Sequence, residues 1–295
     1  MSRRRTPSDS EAGMILVNVL MFVAIASGLV LLLINREEIA LDRALRTREA
    51  ARALAVVRGG ELSALVALRR DMVAAPNEDD RTEPWAKLSE NGAPIEGGTF
   101  DLAIADAEGR FNLNALRAGD AGAILLFQTI AKDVGLTPED VVKAVTYIRL
   151  YGPLTDVRPI RLAGFDPEAA ARLERLVTAL PGTTSINLNA ADPEMLRVLF
   201  RDPLAAQRLA EIRQRTGKLT LKDLSDLSLS MPWGTSFRSG TFWVHTRATI
   251  GGTNQQAAVL IQRVLRPDGK IAVGVVERWR GASVPPEAPG FGVGR

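Results

Sequence analysis

The chain of 295 residues contains no cysteine, which excludes a disulfide framework, a thiol nucleophile and any cysteine-ligated metal centre. A formal net charge of +3, much of it supplied by Arg3, Arg4 and Arg5, leaves no overall basic field that demands a nucleic-acid partner. With 46% hydrophobic residues there is material for a sizeable core, divided over two subdomains.

The first predicted element is an apolar run over residues 14–34, directly after Gly13. As a helix rising about 1.5 Å per residue it reaches roughly 30 Å, the hydrocarbon thickness of a bilayer. Arginines before it, and Glu37, Glu38 and Asp42 after it, favour a cytoplasmic leader (residues 1–13) with the rest of the chain on the outer side. Three readings compete. A cleaved signal peptide would use Ala24-Ile25-Ala26, but cleavage there exposes the apolar residues 28–34 to water. An uncleaved anchor is the plain alternative. The third reading takes the Gly13-Met14 junction literally, because a polar, net basic leader that ends in Gly and meets an unbroken apolar helix resembles type IV prepilins and type II secretion pseudopilins. In those proteins a prepilin peptidase cuts on the cytoplasmic side, after the Gly, and the anchor stays attached. Most members carry Glu as the fifth mature residue, where it pairs with a neighbour's amino terminus during assembly; here that position is Asn18. A neutral amide avoids the cost of a carboxylate in lipid but supplies no full counter-charge.

Residues 35–75 continue the helix. Leu54, Val57, Leu65, Leu68 and Met72 fall on one face, suited to packing on a sheet, and Pro76 ends the element. Gly59-Gly60 predicts a bend or a local weakness. Residues 77–98, rich in Asp, Glu, Pro and Gly, read as a loop. Sheet begins over 99–115: Phe100, Leu102 and Ile104 alternate with Asp101, Ala103 and Ala105, a turn follows from Asp106 to Gly109, and residues 110–113 resume as a candidate hairpin partner.

Residues 116–238 form a predicted all-helical region. Thr137-Pro138, Asp166-Pro167, Asp192-Pro193 and Asp202-Pro203 each put a capping side chain before a proline suited to the first helical position. Period-two segments return over 239–280 as a three-stranded meander with turns at Gly251-Gly252 and Pro267-Asp268-Gly269. Strands on both sides of the helices imply one sheet with a helical insertion, although two separate domains give the same order. The tail, 281–295, is dominated by Gly, Pro and Ala and is predicted to be disordered. The fold class is thus α+β, with a long N-terminal transmembrane helix packed on an antiparallel sheet and an inserted all-helical subdomain.

One internal repeat stands out. Asn112-Leu113-Asn114-Ala115 recurs as Asn187-Leu188-Asn189-Ala190, and paired asparagines flanking a buried Leu suit chain reversals, where their amides bond to neighbouring backbone; the rival reading is a ligand site. Asp106-Ala107-Glu108-Gly109-Arg110-Phe111-Asn112-Leu113-Asn114 resembles the D-x-x-G-R-[IF]-N-[LI]-N signature of K-type minor pseudopilins of the type II secretion system, and Ile186-Asn187-Leu188-Asn189-Ala190-Ala191 is similar to that family's I-N-[LV]-N-[TA]-A segment. K-type members also lack the glutamate that Asn18 replaces. The resemblance covers nearly all of the chain except the tail. It implies a methylated, peptidase-processed inner-membrane protein with its bulk in the periplasm, other minor pseudopilins as partners, and a place at the tip of a short pseudopilus that aids export of folded proteins. It also implies structural rather than catalytic roles for Asp106, Gly109, Arg110, Asn112, Asn114, Asn187 and Asn189. The family binds calcium, often through an acidic stretch after the first motif; the corresponding residues 145–153 have almost no carboxylates, so no calcium ligands are assigned and no other cofactor is expected.

A different class is offered by residues 186–227, which are similar to the helix-hairpin-helix modules of membrane-anchored competence DNA receptors, with Arg208, Arg213, Arg215 and Lys218 as a basic face. Their Gly-x-Gly hairpin is missing, since the position reads Phe200-Arg201-Asp202-Pro203, and Asp202 repels phosphate, so no nucleic acid is expected. For an enzyme, the lone His245 is the only histidine, and neither a nucleophile elbow nor a phosphate loop is present; no catalytic residue is assigned.

Overall fold

The structure is a computed structural model that describes residues 9–292. The chain forms two compact units, the first extending to Arg52 and the second beginning at Ala53. Helix α1 (Asp9–Ala74) is continuous through Gly13, Gly59 and Gly60. The predicted leader falls largely outside the described residues. In the first unit, residues 14–34 are exposed throughout, and the apolar window of this helix has mean hydropathy 2.7 with none of it buried.

In the second unit, α1 lies on a five-stranded antiparallel sheet. The strands are β1 (Glu90–Ile95), β2 (Gly98–Asp106), β7 (Thr241–Ile250), β8 (Thr253–Leu265) and β9 (Ile271–Arg280), in the spatial order β1-β2-β7-β8-β9. Alternation decides which side chains meet the helix. Leu102, Ile104, Phe242, Val244, Val259 and Ile261 face Ala64 and Leu68, with Trp85 closing the end of this core. The reverse face presents Ala105, Trp243, Ala258 and Leu260 to Leu180, Val284 and Ala288.

Val57, Leu68 and Met72 are buried as expected, but the face that meets the sheet is centred on smaller residues than predicted. Ala53, Val57, Gly60, Ala64 and Leu68 are buried, whereas Leu54 and Leu65 sit half-buried on the flank. Small residues win because they let the backbone come close. A Cβ on Gly60 would stand 2.6 Å from the Phe100 ring and 3.0 Å from Thr246 Cγ2, while one on Gly59 would meet open space. Gly60 is therefore a point of close approach and no bend. Gly60→Val is expected to destabilise the second unit by about 2 kcal/mol through overpacking, whereas Gly59→Ala should stabilise it by up to about 1 kcal/mol through helix propensity; thermal melts of the two single variants check the opposite signs.

Strand β1 corrects the loop predicted over 77–98. Its Gly92 and Pro94 are tolerated because it is an exposed edge strand with an irregularity between Glu90 and Ala93. With β1 on one side of β2 and β7 on the other, no place is left for the predicted hairpin partner at 110–113. That segment instead supplies β3 (Phe111–Asn112), which pairs in parallel with β4 (Val177–Thr178).

The helical lobe fills the connection between the adjacent strands β2 and β7. After a 3-10 helix at Leu113–Ala118 come α2 (Ala121–Asp133), α3 (Pro138–Tyr151) and α4 (Pro167–Leu176). β5 (Ile186–Asn187) then opens a second set, α5 (Pro193–Phe200), α6 (Pro203–Thr216) and α7 (Leu221–Asp226), closed by β6 (Thr235–Ser236) pairing in parallel with β5. Thr137, Asp166, Asp192 and Asp202 each accept a hydrogen bond from the first turn of the helix that follows, with proline at its start. One apolar core, with Phe127, Leu113, Ile148, Leu173, Leu188 and Leu209 fully buried, joins both sets.

The tail departs from the predicted disorder through the last described residue. Glu287 Oε1 accepts the Val157 N–H of the helical lobe at 2.7 Å. Further on, His245 Nδ1 lies 2.9 Å from the Pro289 carbonyl, and Phe291 stacks on His245 with Arg247 over its ring. Composition suggested a solvated chain, but its few apolar and acidic groups each find a seat on an element that was already folded.

Candidate functional site: the motif junction and the anchor

The two asparagine motifs meet where the helical lobe joins the sheet. Gly109 makes the meeting close: a Cβ there would stand 2.7 Å from the Ala190 carbonyl oxygen, so the first motif lies directly on the second. The Asn187 N–H donates to the Glu108 carbonyl at 2.8 Å, and the Asn187 side-chain amide donates to Asp106 Oδ2 at 2.7 Å and to the Asp79 carbonyl at 3.0 Å. Ser239 Oγ donates to the same Asp106 oxygen at 2.6 Å.

Within each motif the first Asn accepts from the backbone N–H of the second, an Asx turn written twice. The first copy also clamps a distant segment. Asn112 accepts from Leu180 N–H and donates to the carbonyls of Leu180 and Gly182, while Asn114 exchanges bonds with both polar backbone groups of Leu154 and donates to Leu180 O. In the second copy Asn189 accepts the Leu219 N–H, and the Arg213 guanidinium donates to the carbonyls of Leu188 and Ala191.

These contacts place the site residues predicted from sequence. Asp106 and Gly109 meet the second motif at Asn187 and Ala190, while Asn112 and Asn114 reach Leu154, Leu180 and Gly182 and Asn189 reaches Leu219. The turn from Asp106 to Gly109 is held by the Glu108 N–H donating to Asp106 Oδ1 at 2.8 Å; Arg110 acts by its charge on Glu287 of the tail, and Glu108 is buried and accepts the Gly240 N–H at 3.1 Å. Burial pushes the Glu108 carboxyl up to about 8, helped by the Asp106 charge. Asp106 is raised to about 6 by burial, against the hydrogen bonds it accepts from Ser239, Glu108 and Asn187.

Beneath this junction is a cluster that no sequence motif marks. Asp71, Asp79 and Glu83 bring carboxylate oxygens within 4.8 Å of one another, and Arg263 reaches into the group from β8. A signal existed: residues 257, 259, 261 and 263 share one face of a strand, so an arginine at the fourth position points inward and requires a buried carboxylate.

The basic face proposed for nucleic acid is dispersed. Arg213 is buried on backbone carbonyls, Lys218 pairs with Glu78, and the N–H groups of Leu204 and Ala205 at the start of α6 are taken by Asp202. A phosphate has no free helix terminus to meet there.

On the anchor, Met14 and Asn18 are exposed on α1. The continuation of the helix offers a second exposed apolar set, Leu62, Val66 and Val73, on the side opposite the buried Ala53, Gly60 and Ala64.

No family model matches the chain. It is 26% identical to type II secretion system protein K of Pseudomonas aeruginosa, with 89% of this chain and 91% of that protein aligned. It is 25% identical to type II secretion system protein K of Klebsiella pneumoniae over 92% of this chain and 97% of that one. Its fold is similar to a chain of the crystal structure of the GspK-GspI-GspJ complex from the enterotoxigenic Escherichia coli type 2 secretion system, with a TM-score of 0.61 and 20% identity, covering 82% of this chain and 100% of that chain.

Proposed function

We propose that the chain is a minor pseudopilin of the K type from a type II secretion system, held in the inner membrane by residues 14–34 while the second unit works in the periplasm. Prepilin peptidase removes residues 1–13 by cutting the Gly13-Met14 bond, and the new terminus is methylated. The single observation that carries this reading is the uncovered apolar stretch of α1 beginning at Met14 behind a basic leader.

Assembly then uses the anchor. Without a hydrophobic drive between helices in lipid, packing and interhelical hydrogen bonds decide association, and the Asn18 amide supplies one such bond to a neighbouring pseudopilin. Outside the membrane, Leu62, Val66 and Val73 give partner helices an apolar face to cover. The GspK-GspI-GspJ assembly of the similar structure makes other minor pseudopilins the fitting partners here. A helical lobe on the outer side blocks addition of a further subunit above it, which puts the protein at the pseudopilus tip during export of folded proteins. The role is mechanical and uses no catalytic residue.

N-terminal sequencing and intact mass of the membrane-extracted protein test the processing step. Met14 as first residue, carrying a methyl group, is expected, and Gly13→Leu is expected to leave the precursor uncut because a bulky side chain fits the peptidase poorly. A mature protein beginning at Met1 or at Ser27 would overturn the reading.

A further inference from the structure

The acid cluster under the motif junction is deeply buried: Asp71 is 5% exposed, Asp79 1% and Glu83 8%. Carboxylates held this close in a dry site repel one another unless a cation or a proton is shared among them. A set of hard oxygens of this kind suits a divalent ion such as calcium. The Glu83 Oε1 atom has no hydrogen-bond partner, as though the site had one more oxygen than the protein uses.

The position for a cation is filled from within the chain. Arg263 Nη1 donates to Asp71 Oδ2 at 2.7 Å, its Nη2 pairs with Asp79 Oδ1, and its Nε donates to the Ser239 carbonyl at 3.2 Å. Nη1 also lies 3.4 Å from the Leu68 carbonyl, and the guanidinium sits 4.6 Å from the centre of the Phe242 ring. Arg263 is itself 5% exposed. A planar guanidinium with several fixed donors can serve carboxylates and carbonyls at once, as a metal ion does with its coordination sphere.

We infer that Arg263 is the resident cation of this pocket, so that the pocket needs no divalent ion, and that removing the side chain converts Asp71, Asp79 and Glu83, with the carbonyls of Leu68 and Ser239, into a calcium site. A metal and the guanidinium exclude one another because both need the same Asp71 and Asp79 oxygens.

The test is a thermal melt of the detergent-extracted full chain, first dialysed against chelator and then titrated with calcium chloride. Wild type is expected to melt at one temperature in both conditions. Arg263→Ala should melt roughly 10 °C lower in chelator, the scale of a broken buried ion pair in a domain of this size, and should recover at least half of that loss in millimolar calcium. Arg263→Lys keeps a cation in the pocket, so it should lose less and show no calcium response. A wild type that loses stability in chelator or gains it from calcium would overturn the inference, as would a calcium-responsive Arg263→Lys. If Arg263→Ala does not fold in chelator, folding restored by calcium supports the inference and failure to restore it sinks it.

Discussion

Asn112→Ala is expected to destabilise the helical lobe by about 4 kcal/mol, the largest loss from any single motif residue. One buried amide serves four backbone groups: it accepts from Asn114 N–H and Leu180 N–H, both at 3.1 Å, and donates to the carbonyls of Leu180 at 3.2 Å and Gly182 at 3.0 Å. Alanine removes all four bonds. It also leaves the N–H of the fully buried Leu180 without a partner, although the Leu180 carbonyl keeps its bond from Asn114. Asn112→Asp keeps the two acceptors, loses the two donors and buries a charge, so it should be at least as damaging. Asn77→Ala, an exposed change outside both motifs, should stay within about 0.5 kcal/mol of wild type. Chemical denaturation of the three variants measures the order. Equal stability of Asn112→Ala and wild type would show that the first motif does not clamp the lobe.

Glu108→Gln is expected to stabilise the protein at alkaline pH and to leave it nearly unchanged at pH 4. Burial holds the folded Glu108 carboxyl at about 8, against about 4.5 in the unfolded chain. Between those values the folded state keeps a proton that the unfolded state releases. Stability from this group is therefore complete below about pH 4.5 and is lost as pH rises through 8. A shift of this size corresponds to roughly 4 to 5 kcal/mol over the whole window. Gln mimics the protonated form, can still accept the Gly240 N–H, and has no proton to lose. Asp106, raised to about 6, and Glu83, raised to about 7 by burial, push wild-type stability in the same direction and remain in Glu108→Gln, so the difference between the two proteins reports Glu108 together with its coupling to Asp106. Denaturant midpoints from pH 4 to pH 9 should coincide in trend below about pH 4.5, diverge steadily from there to about pH 8 as wild type loses stability, and run parallel again above it. Curves that stay parallel throughout would mean that Glu108 is ionised in the folded state.

Local chemistry in the sequence predicts much of this molecule. Each capping residue before a proline opens a helix, because the side chain that ends the extended segment also satisfies the first free N–H groups. Alternation at Phe242 and Trp243 assigns the two faces of β7 correctly. What stayed hidden depends on partners far away in the chain. Strand β1 carries Gly92 and Pro94, which read as breakers until an edge position makes them harmless. The buried face of α1 is set by Phe100 and Thr246, which crowd Gly60, and periodicity alone favoured the larger Leu54 and Leu65. At the junction, the asparagine motifs announced turns, but their clamp on Leu180 and their contact with Asp106 and Ser239 join segments that no spacing rule connects. The Arg263 cluster is the extreme case. Its acids lie on α1 and the turn after it, its base on β8, and only the fold makes them neighbours.

Because the helical lobe leaves from β2 and returns to β7, its two points of departure are adjacent strands. Strands so paired lie about 5 Å apart, a distance that a two-residue turn already closes. The sheet does not depend on this cargo for its own connectivity: a lineage could enlarge, swap or shorten the lobe while the ladders of the β1-β2-β7-β8-β9 sheet kept their register. Such an exchangeable head on a constant stalk lets the exposed end of the protein diversify at a rate independent of the part that must match its neighbours.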